Sequence, residues 1–153
     1  MKAAPGNAVQ LTRQIRAKPE RVFRAFTDAK DLKHWFAPQG FSVPVAEVDL
    51  RVGGSYRISM RAPDGKVHTA IGEYREITPP RRLVYTWRWE GGMEGDESET
   101  LVTVEFRERG GATEVVFTHE GFPEKVSRDK HNEGWTSILE RLAEFLPGEG
   151  ENQ

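Results

Sequence analysis

Cysteine is absent from the 153 residues, which excludes disulfides, thiolate metal sites, iron–sulfur clusters and a cysteine nucleophile. A reducing compartment fits that absence. An excess of one charge sign is also missing: 22 Lys+Arg stand against 24 Asp+Glu, for a net charge of −2 and a pI of about 6.1. General nucleic-acid binders draw affinity from clustered Lys and Arg that release counterions, so nucleic acid is not an expected partner. No stretch approaches the ~20 apolar residues that cross a bilayer. Met1 to Val9 carries one Lys and no long apolar run, so no targeting segment is read there. A cytoplasmic protein without membrane insertion is expected. Catalytic templates are lacking too, with no G-x-S-x-G elbow, G-x-G-x-x-G, P-loop or H-E-x-x-H. No catalytic residue, metal ligand or cofactor is assigned from the sequence.

What remains is an ordinary globular composition, 37% apolar, in a chain sized for one domain. Met1 to Ala8, rich in Ala, Pro, Gly and Asn, reads as a flexible N-terminus, and residues 147–153 as a flexible tail, because Pro147 and Gly148 stop a helix. The folded domain is then 9–146. Val9, Leu11 and Ile15 outline a half-buried first strand. Pro19 suits a helix's first turn, ahead of the apolar stripe Val22, Phe23 and Phe26. Asp28 is placed to cap a second short helix carrying Leu32, Trp35 and Phe36.

From Val43 to His119 the apolar period switches to two, broken by Gly53-Gly54, Asp64-Gly65, Pro79-Pro80, the Gly91 to Gly95 loop and Gly110-Gly111. Breaks of that length leave no room for crossover helices, so the sheet is expected to be an antiparallel meander. Parity puts Tyr56, Ile58 and Met60 on one face, joined by Leu83, Tyr85, Trp87 and Trp89, then Val102, Val104 and Phe106, then Val115, Phe117 and His119. A last amphipathic helix, from about Glu124 to Leu146, presents Trp135, Ile138, Leu139, Leu142, Phe145 and Leu146 at steps of three and four. The expected fold is α+β: a strand, two short helices, a curved sheet of about six further strands and a long helix.

The inward side chains are unusually large. Tight helix–sheet packing commonly uses Val, Leu and Ile, whereas aromatics with polar tips suit a concave, partly hollow surface. Ordinary core packing and a shared ligand cavity are both open for each ring. The segments Val45 to Tyr56, Gly72 to Tyr85, Thr118 to Phe122 and His131 to Trp135 resemble the bacterial homologues of the activator of heat-shock protein 90 ATPase, within the START-like, or SRPBCC, superfamily. The resemblance spans most of the folded chain. It implies a helix-grip fold, a curved sheet wrapped around the C-terminal helix with a deep hydrophobic cavity between them. It leaves function open, because one scaffold hosts many activities.

The expectation drawn is non-catalytic binding of a small hydrophobic molecule, lipid-like or polycyclic. Its lining candidates are Trp35, Tyr56, Ile58, Met60, Tyr74, Tyr85, Trp87, Phe117, His119 and Trp135. Alternatives are a co-chaperone-like interaction module, whose partner would be a chaperone, and a cyclase- or hydrolase-like enzyme using the same cavity. A homodimer through exposed strand edges is a further option. His119 and His131 could approach one end of the cavity, either as structural groups or as groups that orient a ligand. His34 is read near the opening and His68 as exposed. Glu76 shares the parity of Tyr74 and would be a base only if buried. Asp49 and Arg51 are read as a surface pair, and Gly53-Gly54 as a backbone requirement. Gly134 is read as close helix–sheet packing or a cavity mouth. The acidic stretch Glu90, Glu94, Asp96, Glu97 and Glu99 is read as a solvated hairpin tip.

Overall fold

The computed structural model describes residues 8–91 and 99–150, with side chains through 146. The chain order is β1 (Val9–Ile15), α1 (Pro19–Thr27), α2 (Ala29–Trp35), β2 (Ser42–Val48), β3 (Ser55–Arg61), β4 (Val67–Thr78), β5 (Arg82–Trp89), β6 (Thr100–Arg109), β7 (Ala112–Glu120) and α3 (Lys125–Gly150). The strands form one antiparallel sheet in the order β1-β7-β6-β5-β4-β3-β2. Strands β2 to β7 follow as a meander, and β1 returns to pair with β7, Val9 facing His119 and Ile15 facing Thr113. This is the curved α+β arrangement the apolar periodicity predicts. The acidic residues Glu94, Asp96 and Glu97 lie outside the described residues.

Asp28 ends one helix and starts the next. Its N–H donates to Arg24 O while its carboxylate accepts from the N–H groups of Lys30 and Asp31, satisfying donors that a helix start leaves unpaired. Helix α1 packs its stripe on β6, with the Phe23 and Phe26 rings each 5.3 Å from Phe106. Helix α3 buries Trp135, Ile138, Leu139, Leu142 and Leu146. Its Arg141 guanidinium reaches back to the carbonyls of His34, Ala37, Pro38 and Phe41 at 2.8–3.2 Å. A cation is favourable at the carbonyl end of α2, and here it also pins the segment that follows.

Two boundary expectations and one burial expectation shift. Ala8 is buried and its carbonyl accepts from Arg128 Nε at 2.8 Å, so it belongs to the folded body and not to a flexible terminus. Helix α3 continues to Gly150, past the stop expected at Pro147-Gly148; a proline removes one ladder donor without obliging the last turn to end there. His68 is half-buried against Trp89, at 6.3 Å between rings, and not exposed.

The sheet opens midway along the β4–β5 ladder. The β4–β5 ladder pairs Ile71 with Arg88 and resumes at Tyr74 with Tyr85. Between them the Tyr56 hydroxyl, arriving from β3, donates to Thr86 O at 2.5 Å, and Thr86 Oγ1 accepts from Glu73 N–H at 2.9 Å. Thr86 is therefore buried, although its parity puts it on the wet face. Gly72 allows this crossing: a Cβ there would stand 2.6 Å from the Tyr56 hydroxyl oxygen and closer still to Thr86 O. Gly134 is the opposite case. A Cβ at that position meets nothing within 4 Å, so close helix–sheet packing does not explain it. We expect Gly72→Ala to lower stability by roughly 1–3 kcal/mol through overpacking. Gly134→Ala should raise it by about 1 kcal/mol through helix propensity. Urea denaturation of the two variants beside the parent checks both signs.

Candidate functional site

The inner face of the sheet and the buried stripe of α3 enclose the aromatic interior. Each of the ten lining candidates is at most 4% exposed. Alternation along β3, β4 and β5 brings Tyr56, Tyr74 and Tyr85 together, with ring centroids 5.3–6.2 Å apart. Ile58 and Met60 continue the β3 row and are buried. Trp87, next along the β5 row, sits 5.0 Å from Trp135, 5.3 Å from Trp89 and 6.2 Å from Phe36. Phe117 packs on Trp135 at 4.4 Å. Trp35 belongs elsewhere: its indole donates to Ala25 O at 3.1 Å and its ring packs on Phe26 and Phe36, so it joins the two short helices.

Two polar atoms in this interior are unusual. Tyr85 Oη and Trp87 Nε1 are buried with no hydrogen-bond partner in the protein. They lie two residues apart on one face of β5. Burial, with Tyr74 adding to it, pushes the Tyr85 hydroxyl well above the usual phenol range. The Tyr56 hydroxyl is raised for the same reason, with Tyr85 and Tyr74 adding to it. These hydroxyls remain protonated, and an indole N–H can only donate.

His119 and His131 are engaged at both ring nitrogens. Trp135 Nε1–H donates to His119 Nδ1 at 2.9 Å, which fixes the ring proton on Nε2. His119 Nε2 then meets Thr100 Oγ1 at 2.6 Å, and that hydroxyl donates to Trp87 O at 3.0 Å. A second pair repeats the pattern: Trp89 Nε1–H donates to His131 Nε2 at 3.0 Å, and His131 Nδ1 lies 2.8 Å from Ser127 O. Phe122 lies against both imidazoles, at 4.4 and 4.7 Å. Both rings thus act as neutral acceptors that fasten α3 to the sheet. His34, read near an opening, stacks on Phe145 at 5.1 Å on the outside of the helix pair.

Glu76 is not an interior base. A register shift between Tyr74 and Glu76 rotates it out of the inner row, and it accepts from Arg82 Nε at 3.1 Å and Thr78 Oγ1 at 2.9 Å. Asp49 and Arg51 form the surface pair read from sequence, at 3.0 Å. Gly53 holds φ of +87°, and a Cβ on Gly54 would meet the Asp49 carbonyl. No cluster of three or more potential metal ligands occurs among the described residues. The sequence reading missed a groove of about 640 Å³ on the opposite face of the sheet, flanked by Glu47, Arg57, Glu73, Arg88 and Glu99, with Tyr56 and Gly72 also lining it. Its outward residues read as a solvated face, and only the pairing of Gly72 with Tyr56 marks the thin place in the sheet.

A curled antiparallel sheet gripping a long C-terminal helix around a ring-lined interior defines a helix-grip domain of START-like type. The chain belongs to the family described as Activator of Hsp90 ATPase homolog 1-like protein, whose profile matches residues 16–147. A protein of known structure from Chromobacterium violaceum is 32% identical and superposes with a TM-score of 0.85, covering 94% of this chain and 99% of that one. An AHSA1 protein from Silicibacter pomeroyi is 28% identical with a TM-score of 0.81, covering 93% and 99%. The human Activator of 90 kDa heat shock protein ATPase homolog 1 is 24% identical over 131 residues, which are 86% of this chain and 34% of that protein. The chain thus spans about a third of that curated relative's length. No helix among the described residues is long and apolar enough to cross a membrane.

The buried histidine makes stability depend on pH. Burial holds His119 well below the usual imidazole range, and His131 adds to it. The groups facing it are Thr100 from β6, Trp87 from β5, Phe122, and Trp135 and His131 from α3. Of these His131 is the one titratable side chain. Below about pH 6.5 the unfolded chain binds a proton at this site that the native chain does not, so unfolding free energy increases with pH there. The contribution is complete above about 6.5 and is lost on acidification, at roughly 1.4 kcal/mol per pH unit until the native value is reached. Unfolding free energies from urea denaturation should be level between pH 7.5 and 6.5 and fall as the pH is lowered further in the parent, and fall less in His119→Gln.

Proposed function

We propose that this protein binds a small, mostly apolar molecule between the sheet and α3, without performing chemistry on it. Membership of a family built on a helix-grip fold supports this reading, and the two unpartnered donors at Tyr85 and Trp87 support it for the interior itself. A buried donor without an acceptor costs about 1–3 kcal/mol, and each such group in a native core calls for an explanation. A ligand that brings acceptor atoms to these donors relieves that cost while its apolar frame is drawn in by burial, at ~25 cal/mol per Å². Catalysis is not part of the reading, because the imidazoles are spent as acceptors and the tyrosines stay protonated.

A second reading has its own observation. Leu50 and Val52, at the turn between β2 and β3, are 44% and 63% exposed, an apolar pair suited to a protein partner. The human relative is by name an activator of a heat-shock ATPase, and the same role here would be read from stimulation of such an ATPase, lost in Leu50→Asp/Val52→Asp.

Native mass spectrometry of protein purified from its own cells, followed by denaturing extraction, tests the binding reading. One defined molecule at near one-to-one occupancy is expected. An empty protein whose melting temperature no apolar compound raises would overturn it. Tyr85→Phe is expected to leave the empty protein as stable as the parent or more so, since it deletes an unsatisfied hydroxyl. It should weaken retention of the bound molecule severalfold.

A further inference from the structure

We infer that the interior selects a neutral ligand whose polar end is an acceptor oxygen, such as a ketone, ester or ether, and rejects carboxylates. The inference rests on the binding reading above and adds the chemical class. It follows from a charge inventory. Among the described residues the buried polar side chains are Thr27, Ser59, Thr86, Thr100, Thr113 and His119; no Lys, Arg, Asp or Glu is among them. Each is already used within the protein. Thr27 bonds Phe23 O, Ser59 bonds Thr69, Thr86 accepts from Glu73, Thr100 bonds Trp87 O, Thr113 bonds Ala17 O, and His119 lies between Trp135 and Thr100. What is left over is the Trp87 indole N–H, which can only donate, and the Tyr85 hydroxyl, whose proton is also without an acceptor.

Unpaired donors call for an acceptor, so a hydrocarbon leaves them unsatisfied. A carboxylate supplies acceptors but brings a charge into a space with no cation to meet it, and an unpaired buried ion is strongly disfavoured. The nearby imidazoles do not serve as that cation. Protonating His119 Nδ1 or His131 Nε2 would oppose the N–H of Trp135 or Trp89, breaking the bonds that hold α3. An ammonium head is disfavoured as well, because no buried carboxylate meets its charge, and it offers no acceptor to the Trp87 N–H. A neutral acceptor, such as a carbonyl or ether oxygen, satisfies both constraints.

Three probes sharing two phenyl rings separate the terms: benzophenone carries a neutral carbonyl, diphenylmethane no acceptor, and diphenylacetate a carboxylate. Titration calorimetry on the unaltered protein at pH 7.5 is expected to show benzophenone binding at least tenfold tighter than diphenylmethane, with diphenylacetate weakest. In Tyr85→Phe and Trp87→Phe the preference of benzophenone over diphenylmethane should shrink severalfold. Diphenylmethane binding as tightly as benzophenone, or diphenylacetate binding tightest, overturns the selectivity while leaving an interior binding site in place. Failure of all three to bind removes the interior as the site, and the inference with it. The comparison on the unaltered chain holds even if a variant does not fold.

Discussion

The indole N–H of Trp135 donating to His119 Nδ1 is the contact on which the remaining geometry depends. It joins the helix to the last strand of the meander, and its direction sets everything after it. Because Nδ1 accepts, Nε2 carries the proton and meets Thr100 Oγ1, whose own proton goes to the backbone of Trp87. One chain of bonds therefore crosses from α3 through β7 and β6 to β5. Such a network specifies a unique packing only when every member is satisfied. Here every member is. The helix cannot shift by a turn without stranding an indole N–H and an imidazole in an apolar space.

Against that closed network, the open donors of Tyr85 and Trp87 stand out. Trp87 takes part twice: its carbonyl terminates the Thr100 chain, while its indole nitrogen is left over. The β4–β5 opening next to it is handled differently, with the Tyr56 hydroxyl and Thr86 Oγ1 filling in for absent ladder bonds. The fold thus repairs a broken ladder within two residues of the donors it leaves unrepaired. This contrast, within one strand, is the physical basis for reading the interior as a place where another molecule completes the bonding.

Much of this was legible before folding because alternation is local. Parity alone selected Tyr56, Ile58, Met60, Tyr85, Trp87, Phe117 and His119 as inward, and all are buried. Asp28 was legible as a cap because its carboxylate bonds within three residues. Parity failed where the strand itself is irregular. A shifted register after Tyr74 carries Glu76 to Arg82, and nothing in the local pattern marks a bulge. Gly134 shared a helix with a large indole and invited a packing explanation, yet the space beside it is open. The outer groove was invisible for a different reason, since charged residues on a wet face have the same pattern whether the sheet there is flat or hollow.

The sequence by itself determined which side chains face inward, where the helices begin and the antiparallel order of the meander, all set by period and by contacts a few residues apart. Tertiary structure alone decided which of the distant polar groups find partners. Trp135 and His119 are 16 positions apart and Tyr56 and Thr86 30 apart, so their bonding is settled by how strongly the sheet curls around α3. The interior's chemistry, donors without acceptors and no charge to meet one, is a remainder left after those distant pairings are made. No local pattern encodes a remainder.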